Sequence, residues 1–229
     1  MTGRQKERER MVRTQIARRG VTDARVLSAM QEVEREHFVP ADEADLAYAD
    51  RPLPIGAGQT ISQPYVVALM VEVMQLEGGE KVLEIGAGSG YAAAVLSRIA
   101  HEVFAIERIE SLAAMAKANL ARGGYGNVHV RHADGTQGWP EEAPFDAILV
   151  SAGAPALPDA LKGQLSIGGR LVIPVGDDPY RQTLIRLTRT GPEAYLQENL
   201  GEVRFVPLIG AQGWSDDAEN SSAKGNEGH

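Results

Sequence analysis

A chain of 229 residues is long enough for one sizeable α/β domain with its own core. Its 43% hydrophobic and 24% charged residues exclude wholesale disorder, and no run approaches the roughly 20 apolar residues that cross a bilayer. The absence of cysteine excludes disulfides, thiolate nucleophiles and cysteine-based zinc sites, and a formal net charge of -8 disfavours a nucleic-acid partner.

Met1-Thr2-Gly3-Arg4-Gln5-Lys6-Glu7-Arg8 lacks the apolar core of a secretory signal, so a cytoplasmic location is expected. Arg4, Lys6, Arg8, Arg10, Arg13, Arg18 and Arg19 alternate with Met11, Val12, Ile16 and Ala17 in an amphipathic helical pattern that stops at Gly20. Thr22-Asp23 then caps a second helix carrying Val26, Leu27, Met30 and Val33. Residues 36–60 are punctuated by Pro40, Pro52, Pro54, Gly56 and Gly58, against any long element. Residues 1–60 therefore read as a helical and irregular cap, 61–214 as the main domain, and the polar run 215–229 as a disordered tail.

From Pro64 the pattern becomes regular, with Val66, Val67, Leu69, Met70, Val73 and Met74 forming a helical stripe. Strands are expected at Lys81–Ile85, Val103–Ile106, Val128–Val130, Phe145–Val150 and Arg170–Val175. Helices at Tyr91–Ile99, Ser111–Ala121 and Leu157–Leu165 fall between them. This alternation implies a doubly wound, mostly parallel Rossmann-like sheet with helices on both faces. Gln182–Thr188 and Glu202–Leu208 alternate without a helix between them, so an antiparallel pair is expected to finish the sheet.

The first expected strand runs into Glu84-Ile85-Gly86-Ala87-Gly88-Ser89-Gly90-Tyr91. Glycines there permit a tight strand-to-helix turn that a ligand can approach on bare backbone. A dinucleotide fingerprint would place its third glycine at position 91, which is tyrosine. The G-x-G-x-G spacing is instead the methyltransferase variant, which accepts an amino-acid tail. Glu107 closes the second strand about 20 residues beyond the turn, where a carboxylate can accept both hydroxyls of a ribose. Asp134-Gly135 follows the third strand, where an adenine would lie. Each has a plainer reading that stays open at this point: a packing turn, a solvated strand-end charge, an Asp-Gly turn.

These motifs, together with Gly58-Gln59-Thr60-Ile61-Ser62-Gln63-Pro64, Ala143-Pro144-Phe145-Asp146, Gln164-Leu165, Gly168-Gly169-Arg170-Leu171-Val172 and Phe205-Val206-Pro207-Leu208, resemble the protein-L-isoaspartate (D-aspartate) O-methyltransferases from about Met11 to Trp214. The Thr60-Ile61-Ser62 segment is the part most particular to that family.

The resemblance implies a class I methyltransferase that moves a methyl group from S-adenosyl-L-methionine, leaving S-adenosyl-L-homocysteine, to the α-carboxylate of L-isoaspartyl residues, and of D-aspartyl residues as a further option. The ester would then close to a succinimide and begin repair. It further implies Ser62 as the catalytic residue, and Gln59, Thr60, Ile61, Ser62, Glu84, Gly86, Ala87, Gly88, Ser89, Gly90, Glu107, Arg108, Asp134 and Gly135 as cofactor contacts. Thr60, Ile61, Ser62, Val206, Pro207 and Leu208 would hold the substrate. Partners would be damaged proteins and isoaspartyl peptides met by a monomer, without nucleic acid, membrane or metal. The departures are Glu84 where many relatives carry Asp, the charged stretch ahead of Met11, and the tail past Trp214.

Three other readings stand beside this one. A small-molecule carboxylate or hydroxyl could be the methyl acceptor, or the chain could bind cofactor without catalysis. Methylation of a base amino group fits poorly, because Ser151-Ala152-Gly153-Ala154-Pro155 lacks an Asn or Asp followed by two prolines and an aromatic. His37, His101, His129 and His132 show no metal or triad spacing and read as packing or surface residues. No G-x-S-x-G elbow surrounds Ser62, so a positioning role or a helix N-cap suits it better than a covalent one.

Overall fold

The computed structural model describes residues 3–179 and 181–215, so the tail expected at 215–229 lies, beyond Ser215, outside the described residues. The amphipathic N-terminus is helical throughout: α1 (Gly3–Met11) passes into a π turn, Val12–Ile16, and a 3-10 turn, Ala17–Arg19. Gly20, at φ 102°, ends it in the left-handed region. Asp23 caps α2 (Ala24–Glu32) by accepting the Arg25 and Val26 amides at 2.8 and 3.1 Å.

The irregular stretch holds more order than its prolines suggest. β1 (Leu53–Gly56) and β2 (Gln59–Ile61) form an antiparallel hairpin, and its tip, Gly56-Ala57-Gly58, has φ values of 93°, 51° and 71°. α3 (Pro64–Met74) follows, with Gln63 rather than Ser62 at its N-cap position. The Tyr65 amide is taken instead by Asp50 at 3.2 Å, and the same carboxylate accepts Gln63 at 2.7 Å and Arg19 at 2.6 Å. The Ser62 hydroxyl is therefore not used to cap this helix.

The remaining elements alternate: β3 (Lys81–Ile85), α4 (Tyr91–Ser97), β4 (Glu102–Glu107), α5 (Glu110–Arg122), β5 (Val128–His132), β6 (Phe145–Val150), α6 (Asp159–Gly163), β7 (Leu165–Asp178), β8 (Arg181–Arg189) and β9 (Tyr195–Val203). The sheet order is β5-β4-β3-β6-β7-β8-β9, parallel as far as β7 and antiparallel across β7, β8 and β9. The chain winds outward from β3 to β5 and then crosses back to β6. That reversal opens a crevice at the carboxyl ends of β3, β4 and β6.

The central strands are buried on both faces, which explains their nearly unbroken apolar runs. Val82, Val103, Ala105, Ala147 and Leu149 face a core shared with α3, α4, α5 and the N-terminal residues Met11, Ile16, Met30 and Phe38. Leu83, Ile85, Phe104, Ile106, Ile148 and Val150 face a second core that includes Leu161 of α6.

Two expectations about the last third need correction. Leu165 begins β7, paired with Phe145, rather than ending a helix; α6 is short, and the strand is irregular around Gly168-Gly169. A Cβ on Gly169 would lie 2.9–3.1 Å from three backbone oxygens, so only glycine lets the two strands close there. The strand paired with β8 is Tyr195–Val203, not Glu202–Leu208. It lies at the sheet edge with most of its residues exposed or half-buried, and so shows no clean alternation, although Arg186 clamps Glu198 with two hydrogen bonds of 2.8 Å. Val206-Pro207-Leu208 instead runs beside Gly153.

Asp23→Ala should cost about 1 kcal/mol, the usual worth of such a cap, measured as a lower urea midpoint at unchanged slope. An unchanged midpoint would mean that the two amides find equal partners in water.

Candidate active site

The turn after β3 lies in the crevice, with Gly86, Gly88 and Gly90 at φ 84°, 55° and 93°. Gly86 and Ala87 both donate to the Ile106 carbonyl, at 2.9 and 3.1 Å, and Gly90 donates to Ala87 at 2.8 Å. One carboxylate fixes the turn to the next strand end. Glu107 accepts the Gly88 amide on Oε2 and the Ile109 amide on Oε1, each at 2.8 Å. A carboxylate has about four lone-pair positions, so each oxygen keeps capacity for a further donor such as a hydroxyl.

An open recess of about 600 Å³ begins here, bounded by Gly86 and Gly88, Ile106 to Ile109, Gly135, and Ser151-Ala152. Gly135 forms part of its wall, and a Cβ there would meet Ile85 Cγ2 at 2.4 Å, so glycine is required for this loop to reach β3. The Asp134 carboxylate is engaged nearby: Oδ1 accepts Thr136 N at 2.9 Å and Thr136 Oγ1 at 2.7 Å, while Oδ2 accepts Ala211 N at 2.9 Å. The strap 208–214 is thus tied to the loop after β5, and its Leu208 and Ile209 complete the recess. Arg108 also lines it, its carbonyl accepting from the His132 ring at 2.9 Å.

Beneath the turn, Glu84 is 1% exposed and Ser89 2% exposed. Glu84 Oε2 and Ser89 Oγ have no hydrogen-bond partner among the described residues. Burial first, and then the Glu107 carboxylate, push Glu84 up to about 8, against hydrogen bonds from the Ala93 backbone and the Ser151 hydroxyl. Both residues border a small void shared with Ala87, Ser62 and Ser151. Orphaned buried polar atoms beside bare glycine backbone suit a polar or cationic ligand.

Ser62 is half-buried where this void meets a much larger groove, of about 1860 Å³ counting its open mouth. Its hydroxyl makes no hydrogen bond among the described residues, so no base is seen engaging it. Gln59 and Thr60 line both recess and groove, and the buried Ile61 borders the small void. Tyr65, Val66 and Leu69 of α3 form one wall of the groove, and Leu200, Val203 and Phe205 to Pro207 the other. Gly153 pairs with the Val206 carbonyl and the Leu208 amide at 2.8 Å each, while the Val206 N–H and the Pro207 carbonyl have no backbone partner among the described residues.

Sequence reasoning passed over Ser151, which borders the recess, the void and the groove at the end of β6. Its strand-end position opposite the glycine turn was the available signal. The histidines lie elsewhere: His129 bonds Glu102 at 2.9 Å and stacks on Phe104. Among the described residues no group of three or more His, Asp or Glu could hold a metal ion, and no helix is long and apolar enough to cross a membrane.

A family profile described as Protein-L-isoaspartate(D-aspartate) O-methyltransferase (PCMT) matches residues 6–213, beginning ahead of Met11 within the stretch expected to be an extension. Protein-L-isoaspartate O-methyltransferase 1 of Rhodopseudomonas palustris (strain HaA2) is 61% identical over 217 residues, which is 95% of this chain and 89% of that protein. Protein-L-isoaspartate O-methyltransferase 2 of Marinobacter nauticus is 60% identical over 207 residues, 90% of this chain and 94% of its own. A solved protein-L-isoaspartate O-methyltransferase superposes with a TM-score of 0.82 at 31% identity, over 90% of this chain and 67% of that one. A PCMT structure from Plasmodium falciparum in complex with S-adenosyl-L-homocysteine gives 0.78 at 27% identity, over 88% of this chain and 98% of that one.

Glu84 carries a testable pH signature. Its folded value lies above its unfolded one, so its contribution to stability is fully present below about 4.5 and is lost as pH rises through about 8. The isosteric Glu84→Gln should therefore gain on the unmodified, ligand-free protein by up to about 1.4 kcal/mol per pH unit across that window, and the difference should level off above it. Thermal melts of both proteins across this range give the comparison. Parallel melting curves would place the raised value on another group.

Proposed function

The chain belongs to the protein-L-isoaspartate(D-aspartate) O-methyltransferase family, and from that premise we propose that Ser62 lies where methyl transfer occurs, between a cofactor seat and a peptide groove. It is an S-adenosylmethionine-dependent protein carboxyl O-methyltransferase acting on L-isoaspartyl residues. The one observation that carries the site assignment is the position of Ser62 on both the groove and the void beneath the glycine turn.

The cofactor seat is proposed as follows. The bare backbone of Gly86 to Gly90 receives the amino-acid end, with Glu84 and Ser89 supplying the unsatisfied polar atoms below it. Glu107, prepaid with two backbone amides, accepts the ribose hydroxyls on its remaining lone pairs. Gly135 and Arg108 line the adenine end, and Asp134 holds that loop in place. S-adenosylmethionine supplies a methyl group on a sulfonium: a bond from the substrate carboxylate oxygen to that carbon forms as the sulfur–carbon bond breaks, leaving a methyl ester and S-adenosylhomocysteine. The ester's closure to a succinimide would then begin repair.

What the protein must do is align and desolvate. A carboxylate with a reference value of about 4 is already ionised near neutral pH, so no general base is needed. In-line approach becomes an intramolecular problem once both partners are held. The Ser62 hydroxyl, without a partner among the described residues, donates to the substrate carboxylate and orients it. The substrate backbone lies along Val206-Pro207-Leu208, whose outward Pro207 carbonyl can accept from it, which reads extended chain rather than a particular fold. Leu208 supports that edge from within. The groove is open to solvent between α3 on one side and Leu200 to Pro207 on the other, which leaves room for a chain that continues past the reacting residue.

D-aspartyl residues enter as a second substrate class on the family description alone. A net charge of -8 supports work without nucleic acid, and the absence of cysteine supports a cytoplasmic site of action. The chain is taken to work as a monomer.

Labelled S-adenosylmethionine offered with two peptides that differ only in Asp against isoAsp should label the isoAsp peptide alone; equal labelling would remove the substrate assignment. Ser62→Ala should lower kcat roughly 10- to 100-fold, the worth of one hydrogen bond to a charged group, with cofactor affinity nearly unchanged. Full activity in that variant would remove Ser62 from the reaction.

A further inference from the structure

The side chain of Arg35 is fully buried, at 0% exposure, on the first residue of a 3-10 turn that spans Arg35–Phe38. It forms no ion pair among the described residues. One terminal nitrogen donates to the Ala47 carbonyl at 2.6 Å, and the other to the Ser62 carbonyl at 2.8 Å and the Arg51 carbonyl at 3.5 Å. Its Nε has no partner among the described residues. The guanidinium lies 5.4 Å from the ring centre of Tyr91, the residue that opens α4 directly after the glycine turn.

Burying a cation without a counter-ion is costly, and an apolar side chain would fill the same space at lower cost. The contacts made here have a specific address. Arg51 enters the β1–β2 hairpin and Ser62 leaves it, so one planar fork ties together the two roots of the hairpin that carries Gln59, Thr60 and Ile61. No helical bond competes for the Ser62 carbonyl. The next residue but one is Pro64, which has no N–H, and the first amide of α3 to reach back, that of Val67, goes to Gln63 at 3.1 Å.

We infer that Arg35 is a positioning residue for methyl transfer, orienting Ser62 by holding its carbonyl while the same guanidinium closes the base of the hairpin. This rests on the assignment of Ser62 to the active site. A lysine would keep the charge but not the two-pronged geometry. Arg35→Lys therefore separates geometry from charge.

The test uses the full chain and four variants: Arg35→Lys, Arg35→Gln, Ser62→Ala and Ser62→Ala with Arg35→Lys. Rates with an isoaspartyl peptide are expressed per S-adenosylhomocysteine-binding site counted by calorimetry, so unfolded molecules do not enter. Each Arg35 variant should lose roughly tenfold or more in kcat while its affinity for S-adenosylhomocysteine shifts by less than about twofold. In the Ser62→Ala background the lysine substitution should cost less than about twofold, because the hydroxyl it positions is gone. Independent, multiplying losses would overturn the inference. So would a parallel fall in kcat and cofactor affinity, or the loss of all binding sites, which would make Arg35 a residue of the fold alone. Full activity of Ser62→Ala would remove the Ser62 assignment and this inference with it; loss in Ser62→Ala with none in Arg35→Lys would remove only this inference.

Discussion

The Glu107 carboxylate is the constraint on which the crevice depends. A glycine turn can adopt many shapes, and this one is held because two amides, from Gly88 within it and Ile109 beyond β4, converge on one side chain that is 7% exposed. The bond to Gly88 joins β3's loop to the end of β4, the bond to Ile109 bends the chain into α5, and the recess opens between them. Removing solvent from a carboxylate is costly unless its charge is answered, and two backbone dipoles answer it. Glu84 lies beneath the same turn and lacks such partners on one oxygen, so its burial, and then the neighbouring Glu107 carboxylate, push it up to about 8.

Much of this was legible in the sequence because the requirements are local. The three glycines of the turn need positive φ, the strand before them needs apolar residues on both faces, and the acid that closes β4 falls at the distance set by one strand–helix–strand unit. What was not legible depended on distant contacts or on exposure. β9 lies at the sheet edge, where neither face demands an apolar residue at every second position, and so Leu196, with 55% of its surface exposed, carries no phase information. The β1–β2 hairpin was hidden by Pro52 and Pro54, which are tolerated there because the two-stranded pair leaves edges unpaired.

Arg35 shows the limit most clearly. In the run Glu34-Arg35-Glu36-His37 it reads as one charge among several on a solvated turn. Its burial arises only when the carbonyls of residues 47, 51 and 62, separated along the chain, meet around it. Ser151 is a milder case, since the end of β6 opposite the glycine turn is a place where any side chain will border the crevice. The family resemblance named the segment that ends in Ser62, and the hydrogen bonds explain what holds that segment still.

The strap 208–214 carries one more consequence. Its contacts run backwards along the chain: Ala211 to Asp134, Gln212 to Thr136, and the Trp214 indole to Gly153 at 3.0 Å. Leu208 and Ile209 furnish one side of the recess. During synthesis the glycine turn and both carboxylates leave the ribosome long before these residues do. A nascent chain that stops short of them has the sheet's parallel half without this side of the recess, so a ligand that needs the whole recess can stabilise the fold only after the antiparallel strands have emerged. Order of emergence thus makes ligand binding a late check, made only once every strand of the sheet has emerged.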